Sequence, residues 1–127
     1  MMKENWCYKR GDLYYANLNP YQGSEQGGTR PVIVLQNNVG NIYCPTLIVA
    51  PLTSKIAEKK KLPTHYLVED IPKLATSSLV LLEQIKTIDK SRIISYIGKV
   101  SGEQMRGIED AMQISLGIYI PAEVEAP

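Results

Sequence analysis

Apolar residues in this chain come in short, β-branched bursts, and that pattern limits the fold more than any other feature. PVIVLQN (Pro31–Asn37), TLIVAPLTS (Thr46–Ser54) and RIISYIGKV (Arg92–Val100) are rich in Val and Ile and stop after seven to nine residues. Branching at Cβ favours extended backbone, and runs this short between turn residues read as strands. RGDLYYANLNP (Arg10–Pro20) reads as an aromatic-rich strand ending in a turn at Asn19-Pro20, and THYLVE (Thr64–Glu69) as a further strand. SSLVLLEQIKTI (Ser77–Ile88) reads as one long strand, with helix left open by its Leu and Glu content. Pro51 predicts an edge, a bulge or an end within the Thr46–Ser54 strand. The connections are a Gly-rich loop over Tyr21–Thr29, a turn of Asn37, Asn38, Gly40 and Asn41, and a basic loop or helical turn over Lys55–Pro63.

After Val100 the period changes. Ser101 with Gln104 fits a capping box, in which each side chain satisfies a backbone N–H of the other residue. Met105, Ile108, Met112 and Leu116 follow at helical spacing, and Gly117 is placed to end the helix. The expectation is five or six short strands and one C-terminal helix, packed as a small, strongly curved sheet or barrel. A length of 127 residues suits one domain. The chain has no Phe, so Val, Ile, Leu, Met and eight Tyr must fill the core. PAEVEAP (Pro121–Pro127) reads as a mobile tail.

Net charge is only +1, but it is unevenly spread. Residues 1–101 hold thirteen Lys and Arg against eight acids, whereas residues 102–127 hold Arg106 against five acids. A positive body of this kind either presents a basic groove to phosphate or is an ordinary solvated surface. Cys7 and Cys44 form no CxxC pair, and the one histidine, His65, does not complete a zinc site with them. Free thiols in a reducing compartment are the expectation, with one disulfide as the alternative. MMKENWCYKRGD at the start has no apolar signal region, and no apolar run approaches a membrane span, so a cytoplasmic location is expected.

The residue inventory excludes several chemistries. There is no GxSxG elbow, no P-loop and no GxGxxG, and no ligand cluster for a metal or cofactor. Arg, Thr, Ser, Glu, Gln and His65 remain. Cleavage of RNA suits that set, because the 2′-OH of the substrate attacks its own phosphate. The protein then has to align the attack and stabilise charge on the phosphoryl oxygens. A planar, permanently charged guanidinium does the second task well and is a poor general base. Arg30 is the candidate: Pro31 biases it toward extended geometry, and Gly27 and Gly28 let the preceding backbone approach a ligand. The competing reading is a surface turn in which Arg30 pairs with Glu25.

RGDLYYANLNPYQGSEQGGTRPVIVLQNNVGN resembles the opening of the MazF/PemK endoribonuclease toxins, and the likeness continues through PTLIVAPLTSKI, KLPTHY, LVLLEQIKTIDKSRI and AMQISLG. It covers roughly Lys9 to Ile118 in order, leaving Met1–Tyr8 as an N-terminal extension and 9–120 as the single domain. The resemblance implies a small SH3-like β-barrel with a C-terminal helix, working as a homodimer. It implies metal- and cofactor-independent cleavage of single-stranded RNA at a short sequence, giving a 2′,3′-cyclic phosphate and a 5′-OH and arresting translation and growth. It also implies a cognate MazE-like antitoxin that covers the RNA site. By resemblance the catalytic arginine is Arg30 and the catalytic threonine Thr53, while Glu25, Gln26, Ser54, His65, Gln84 and Lys86 contact RNA. The His65 ring is a candidate to stack on a base. Similar toxins favour an element such as UACAU. Asn38, Ser77 and Lys86 depart from the residues common in the family, which bears on base preference rather than on the Arg30/Thr53 pair. Other toxins of this fold bind DNA gyrase rather than cut RNA, so a protein-binding role stays open, as does a small adaptor domain.

Overall fold

The computed structural model of the chain describes residues 2–56 and 62–124. Lys59, Lys60 and Lys61, expected in a basic loop, lie outside the described residues, as does the end of the expected tail. Seven strands form one antiparallel sheet: β1 (Asp12–Asn17), β2 (Thr29–Val34), β3 (Thr46–Thr53), β4 (His65–Val68), β5 (Ser78–Leu81), β6 (Lys86–Asp89) and β7 (Ile93–Lys99). Their order is β4-β5-β3-β2-β1-β7, with β6 also paired to β3. Among the described residues no ladder joins β4 to β7, so the curved sheet stays open. The fold is mainly β with one long helix at the C-terminal end, α2 (Gly102–Ser115).

Two elements differ from the sequence expectation. The segment read as one long strand over Ser77–Ile88 is two strands separated by a 3-10 turn at Leu82–Gln84. The cause is β3, which pairs both of them along one edge. Leu52 lies opposite Val80, and Val49 lies opposite Lys86. Over that interval β3 advances three residues and its partner six, so Leu82, Glu83 and Gln84 are extruded. Leu82 folds into the core, while Glu83 and Gln84 project from the sheet. Pro51 falls in the gap between those two ladders, where β3 changes partner on that edge.

The second difference is a short helix, α1 (Asn38–Tyr43), where a turn was expected. The side chain of Asn37 accepts from the Gly40 N–H at 2.8 Å, so the turn-forming chemistry caps a helix instead. Asn41 is buried beside Gln36, and the two exchange hydrogen bonds at 3.0 Å.

Strand alternation sends apolar side chains to both faces of the sheet. One face carries Leu13, Ile33, Ala50, Leu52 and Val80, and α2 covers it with Ile108 and Ala111. The helix ends are built as the sequence predicts. Ser101 accepts from Gln104 N at 3.1 Å and the Gln104 side chain accepts from Ser101 N at 3.2 Å. At the other end Gly117 has φ +71°, and Gly117 and Ile118 N–H close back on Ile114 and Gln113. Arg10 bonds Glu109 of α2 at 2.7 Å and the Leu35 carbonyl at 2.9 Å, tying helix to sheet. The opposite face carries Tyr14, Val32, Val34, Leu47 and Val49. Here the N-terminal extension serves as cover: Tyr8 is buried, and Met2 and Trp6 pack against the cluster. Trp6 Nε1 donates to the Tyr14 hydroxyl at 2.7 Å, which donates to Asp12 Oδ2 at 2.7 Å. Burial pushes the Tyr14 phenol far above its ordinary range, so it acts only as a neutral link.

The contact between α2 and β4 depends on Gly107. A Cβ there would lie 2.1 Å from the Tyr66 ring. Alanine normally favours an interior helical position by about 1 kcal/mol over glycine. At Gly107 the clash outweighs that gain, and Gly107→Ala is expected to destabilise the fold by about 1–3 kcal/mol in denaturant unfolding. Gly102→Ala, whose Cβ would meet nothing closer than 3.9 Å, is the matched control. A Gly107→Ala protein as stable as the control would show that Tyr66 does not set the helix's approach.

Candidate nucleic-acid interface

The loop between β1 and β2 is short of regular structure but firmly held. At its base Leu18 N–H donates to Gly28 O at 2.9 Å, and Gly28 N–H donates to Asn19 Oδ1 at 2.8 Å. Arg92 donates from below to the carbonyls of Asn17, at 3.1 Å, and Asn19. At its tip Gln26 N–H donates to Gln84 Oε1 at 2.9 Å, and Gln84 Nε2 reaches Ser24 O at 3.4 Å. Gly27 and Gly28 are needed for different reasons. A Cβ on Gly27 would lie 1.9 Å from the Tyr21 ring, and Gly28 has φ +73°. Gly27 therefore admits a neighbouring side chain, and Gly28 a left-handed bend.

Arg30 leaves this loop as the second residue of β2, opposite Ala16 of β1. Its Nε donates to Gly27 O at 3.0 Å. Among the described residues it makes no ion pair; the two pairs found are Arg10–Glu109 and His65–Glu83. Glu25 is turned to the loop itself, accepting from Gln22 N–H at 2.8 Å, so the surface pairing of Arg30 with Glu25 does not occur. Arg30 lies on a cleft of about 220 Å³ whose lining residues include Thr29, Ser54, Thr76 and Ser78.

Thr53 is close in register. The β2–β3 ladder runs to Val32 opposite Pro51, and Arg30 and Thr53 each stand two residues beyond that pair, on one face of the sheet. Thr53 itself is 1% exposed, and its hydroxyl accepts from Lys55 N–H at 3.2 Å. Ser54, the next residue, reaches the cleft instead.

A second cleft, about 470 Å³, gathers four of the residues expected to touch RNA: Glu25, Gln26, Gln84 and Lys86. Glu83 lies on the same wall. The extruded turn explains this meeting, because it brings Glu83 and Gln84 toward the loop tip. His65 is not in this cleft. Its side chain is 2% exposed, and Nε2 lies 3.0 Å from Glu83 Oε2. Leu62 N–H donates to Nδ1 at 3.4 Å, which sets the neutral ring's proton on Nε2, facing Glu83. Thr64 Oγ1 donates to the other Glu83 oxygen at 3.0 Å. The ring thus offers no face for stacking; it steadies a carboxylate that lines the cleft. Sequence reasoning missed Asn19 and Arg92 as parts of this region. Asn19 carried a turn signal, whereas nothing local marked Arg92.

Among the described residues no group of three or more His, Cys, Asp and Glu could hold a metal ion, and no helix is long and apolar enough to cross a membrane. Cys7 and Cys44 are exposed and unbonded.

Residues 9–116 match the family of PemK-like, MazF-like toxins of type II toxin–antitoxin systems. A protein named Endoribonuclease MazF, from Staphylococcus saprophyticus, is 48% identical over 112 residues, covering 87% of this chain and 92% of that one. Among solved structures, MazF from Deinococcus radiodurans superposes with a TM-score of 0.76 at 24% identity, covering 89% of this chain and 99% of the other. An endoribonuclease in complex with its cognate antitoxin, from Mycobacterial species, gives 0.74 at 24% identity, covering 90% and 99%. These two likenesses speak to the fold alone. The matched span and the identity to the staphylococcal protein lead to one assignment: the chain belongs to the PemK-like, MazF-like toxins of type II toxin–antitoxin systems.

Proposed function

We propose that the protein is a cytoplasmic toxin endoribonuclease that cuts single-stranded RNA without a metal ion and so halts translation and growth. The observation that carries this reading is the Arg30 guanidinium, free of any carboxylate partner among the described residues and held by Gly27 O beside a cleft lined in part by Ser and Thr residues. A phosphate is the ligand such a group fits: two parallel N–H donors meet two phosphoryl oxygens. The 2′-oxygen bonds to phosphorus, the 5′-oxygen leaves, and the proton lost by the first is balanced by one gained at the second. No water is consumed, and the ends are a 2′,3′-cyclic phosphate and a 5′-OH. Arg30 stabilises the charge that grows on the phosphoryl oxygens. Thr53 contributes from behind, holding the turn that carries Ser54 to the cleft. Glu25, Gln26, Gln84 and Lys86 hold the flanking nucleotides in the larger cleft, with His65 acting through Glu83. The 48% identity to a protein named as an endoribonuclease supports the activity.

Cleavage is expected to continue in EDTA on a long RNA, with cut ends of the stated chemistry when mapped. Loss of cutting in chelator, restored by magnesium, would sink the metal-free mechanism.

Arg30→Lys separates charge from geometry. Lysine keeps the charge but presents it as a point without the planar fork. Losing one aligned donor typically costs about 100- to 1,000-fold in rate. Single-turnover cleavage should fall by roughly that factor, while affinity for an RNA with a 2′-deoxy group at the mapped cut site falls much less. A rate near wild type would make Arg30 an electrostatic anchor only.

The same reading has the toxin acting as a homodimer, neutralised by a MazE-like antitoxin over the RNA site. A relative in this fold is known in complex with its cognate antitoxin, which supports the second point. Sedimentation should give a dimer at micromolar concentration, and antitoxin peptide should displace RNA. A monomer, or simultaneous binding of both without loss of affinity, would contradict it.

A further inference from the structure

We infer that Asn19 is the positioning residue for Arg30, acting through the single peptide group that joins Gly27 to Gly28. The inference rests on the proposed role of Arg30 and adds to it the group that aims the guanidinium. The carbonyl of that peptide, Gly27 O, accepts from Arg30 Nε at 3.0 Å, and its N–H, on Gly28, donates to Asn19 Oδ1 at 2.8 Å. Both ends of one peptide dipole are therefore engaged, and each bond polarises the other.

The peptide needs such a lock. It lies between two glycines, the residue type that restrains backbone orientation least. Turned over, it would point its N–H at the Arg30 guanidinium and leave donor facing donor. Nothing on the Arg30 side would then fix χ angles of a long side chain that has no ion pair among the described residues. Asn19 selects against that state by accepting the N–H.

Asn19 is itself fixed, although it is exposed. Its N–H donates to Asn17 Oδ1 at 3.0 Å, and its carbonyl accepts from Arg92. The relay runs from Arg92 in the turn before β7, through Asn19 and the Gly27–Gly28 peptide, to Arg30. Asn19 touches no reacting atom in this scheme; it sets where Arg30 sits.

The test compares Asn19→Leu, which deletes the acceptor, with Asn19→Asp, which keeps it; Asn19→Ala replaces leucine if that variant does not fold. Small misplacements of a catalytic group cost on the order of 100-fold in rate. Asn19→Leu should lower single-turnover cleavage by about 10- to 100-fold while affinity for the 2′-deoxy RNA stays within about 3-fold. Asn19→Asp should regain most of the rate. In an Arg30→Lys background, where the Nε contact to Gly27 O no longer exists, Asn19→Leu should cost little more. Independent, multiplying losses in the double variant would overturn the inference, as would an Asn19→Leu rate within about 2-fold of wild type. Equal loss of rate and affinity in all Asn19 variants would also overturn it, marking a general collapse of the loop. If Arg30→Lys itself cuts normally, the role of Arg30 fails first; an impaired Arg30→Lys beside either an unimpaired Asn19→Leu or multiplying losses in the double variant refutes this step alone.

Discussion

Strand β3 is the constraint from which the rest of the architecture follows. It is paired on one edge by β2 and on the other by two successive partners, β5 and β6. A sheet edge can serve two strands in line only if the chain between them leaves the ladder. Here it leaves by three residues, and those residues include Glu83 and Gln84. A mismatch in backbone pairing thus becomes one wall of the larger cleft. The extruded turn anchors the Gly-rich loop through Gln84 and holds the buried histidine through Glu83.

The same strand explains why loop and cleft are coupled. Pairing with β2 sets Arg30 and Thr53 on one face of the sheet, although they are far apart in sequence. The cleft beside Arg30 is walled by residues from β1, β2, β3 and the segment leading into β5. No single element makes it. Its shape depends on the twist and register of the whole sheet, which the α2 helix and its Arg10–Glu109 tie hold from one side.

Much of this was readable beforehand, and the exceptions share a cause. Ser101, Gln104 and Gly117 bounded α2 because capping is local chemistry. The place of Arg30 at the start of a strand, after the Gly-rich loop, was legible for the same reason. The break at Leu82–Gln84 was not, because it answers to a register with β3, some thirty residues earlier in the chain. The His65 ring read as a candidate to stack on a base; it is buried and bonded to Glu83, 18 residues away. Asn37–Asn41 carried turn chemistry that serves a helix cap equally well. The roles of Asn19 and Arg92 depend on a meeting across more than seventy residues, to which single-residue propensity is blind.

The segment before Lys9 lies outside the span matched by the family, yet it is part of the core of this chain. Trp6 is the only tryptophan in the sequence, hydrogen-bonded to Tyr14 and with its ring centroid 5.4 Å from that of Tyr96. The protein therefore carries a single tryptophan fluorophore at the junction of extension and sheet. Its emission follows the seating of the first eight residues and, through Tyr14 and Asp12, the integrity of β1. A label or affinity tag joined at the front of the chain would be attached to a segment that packs on the sheet.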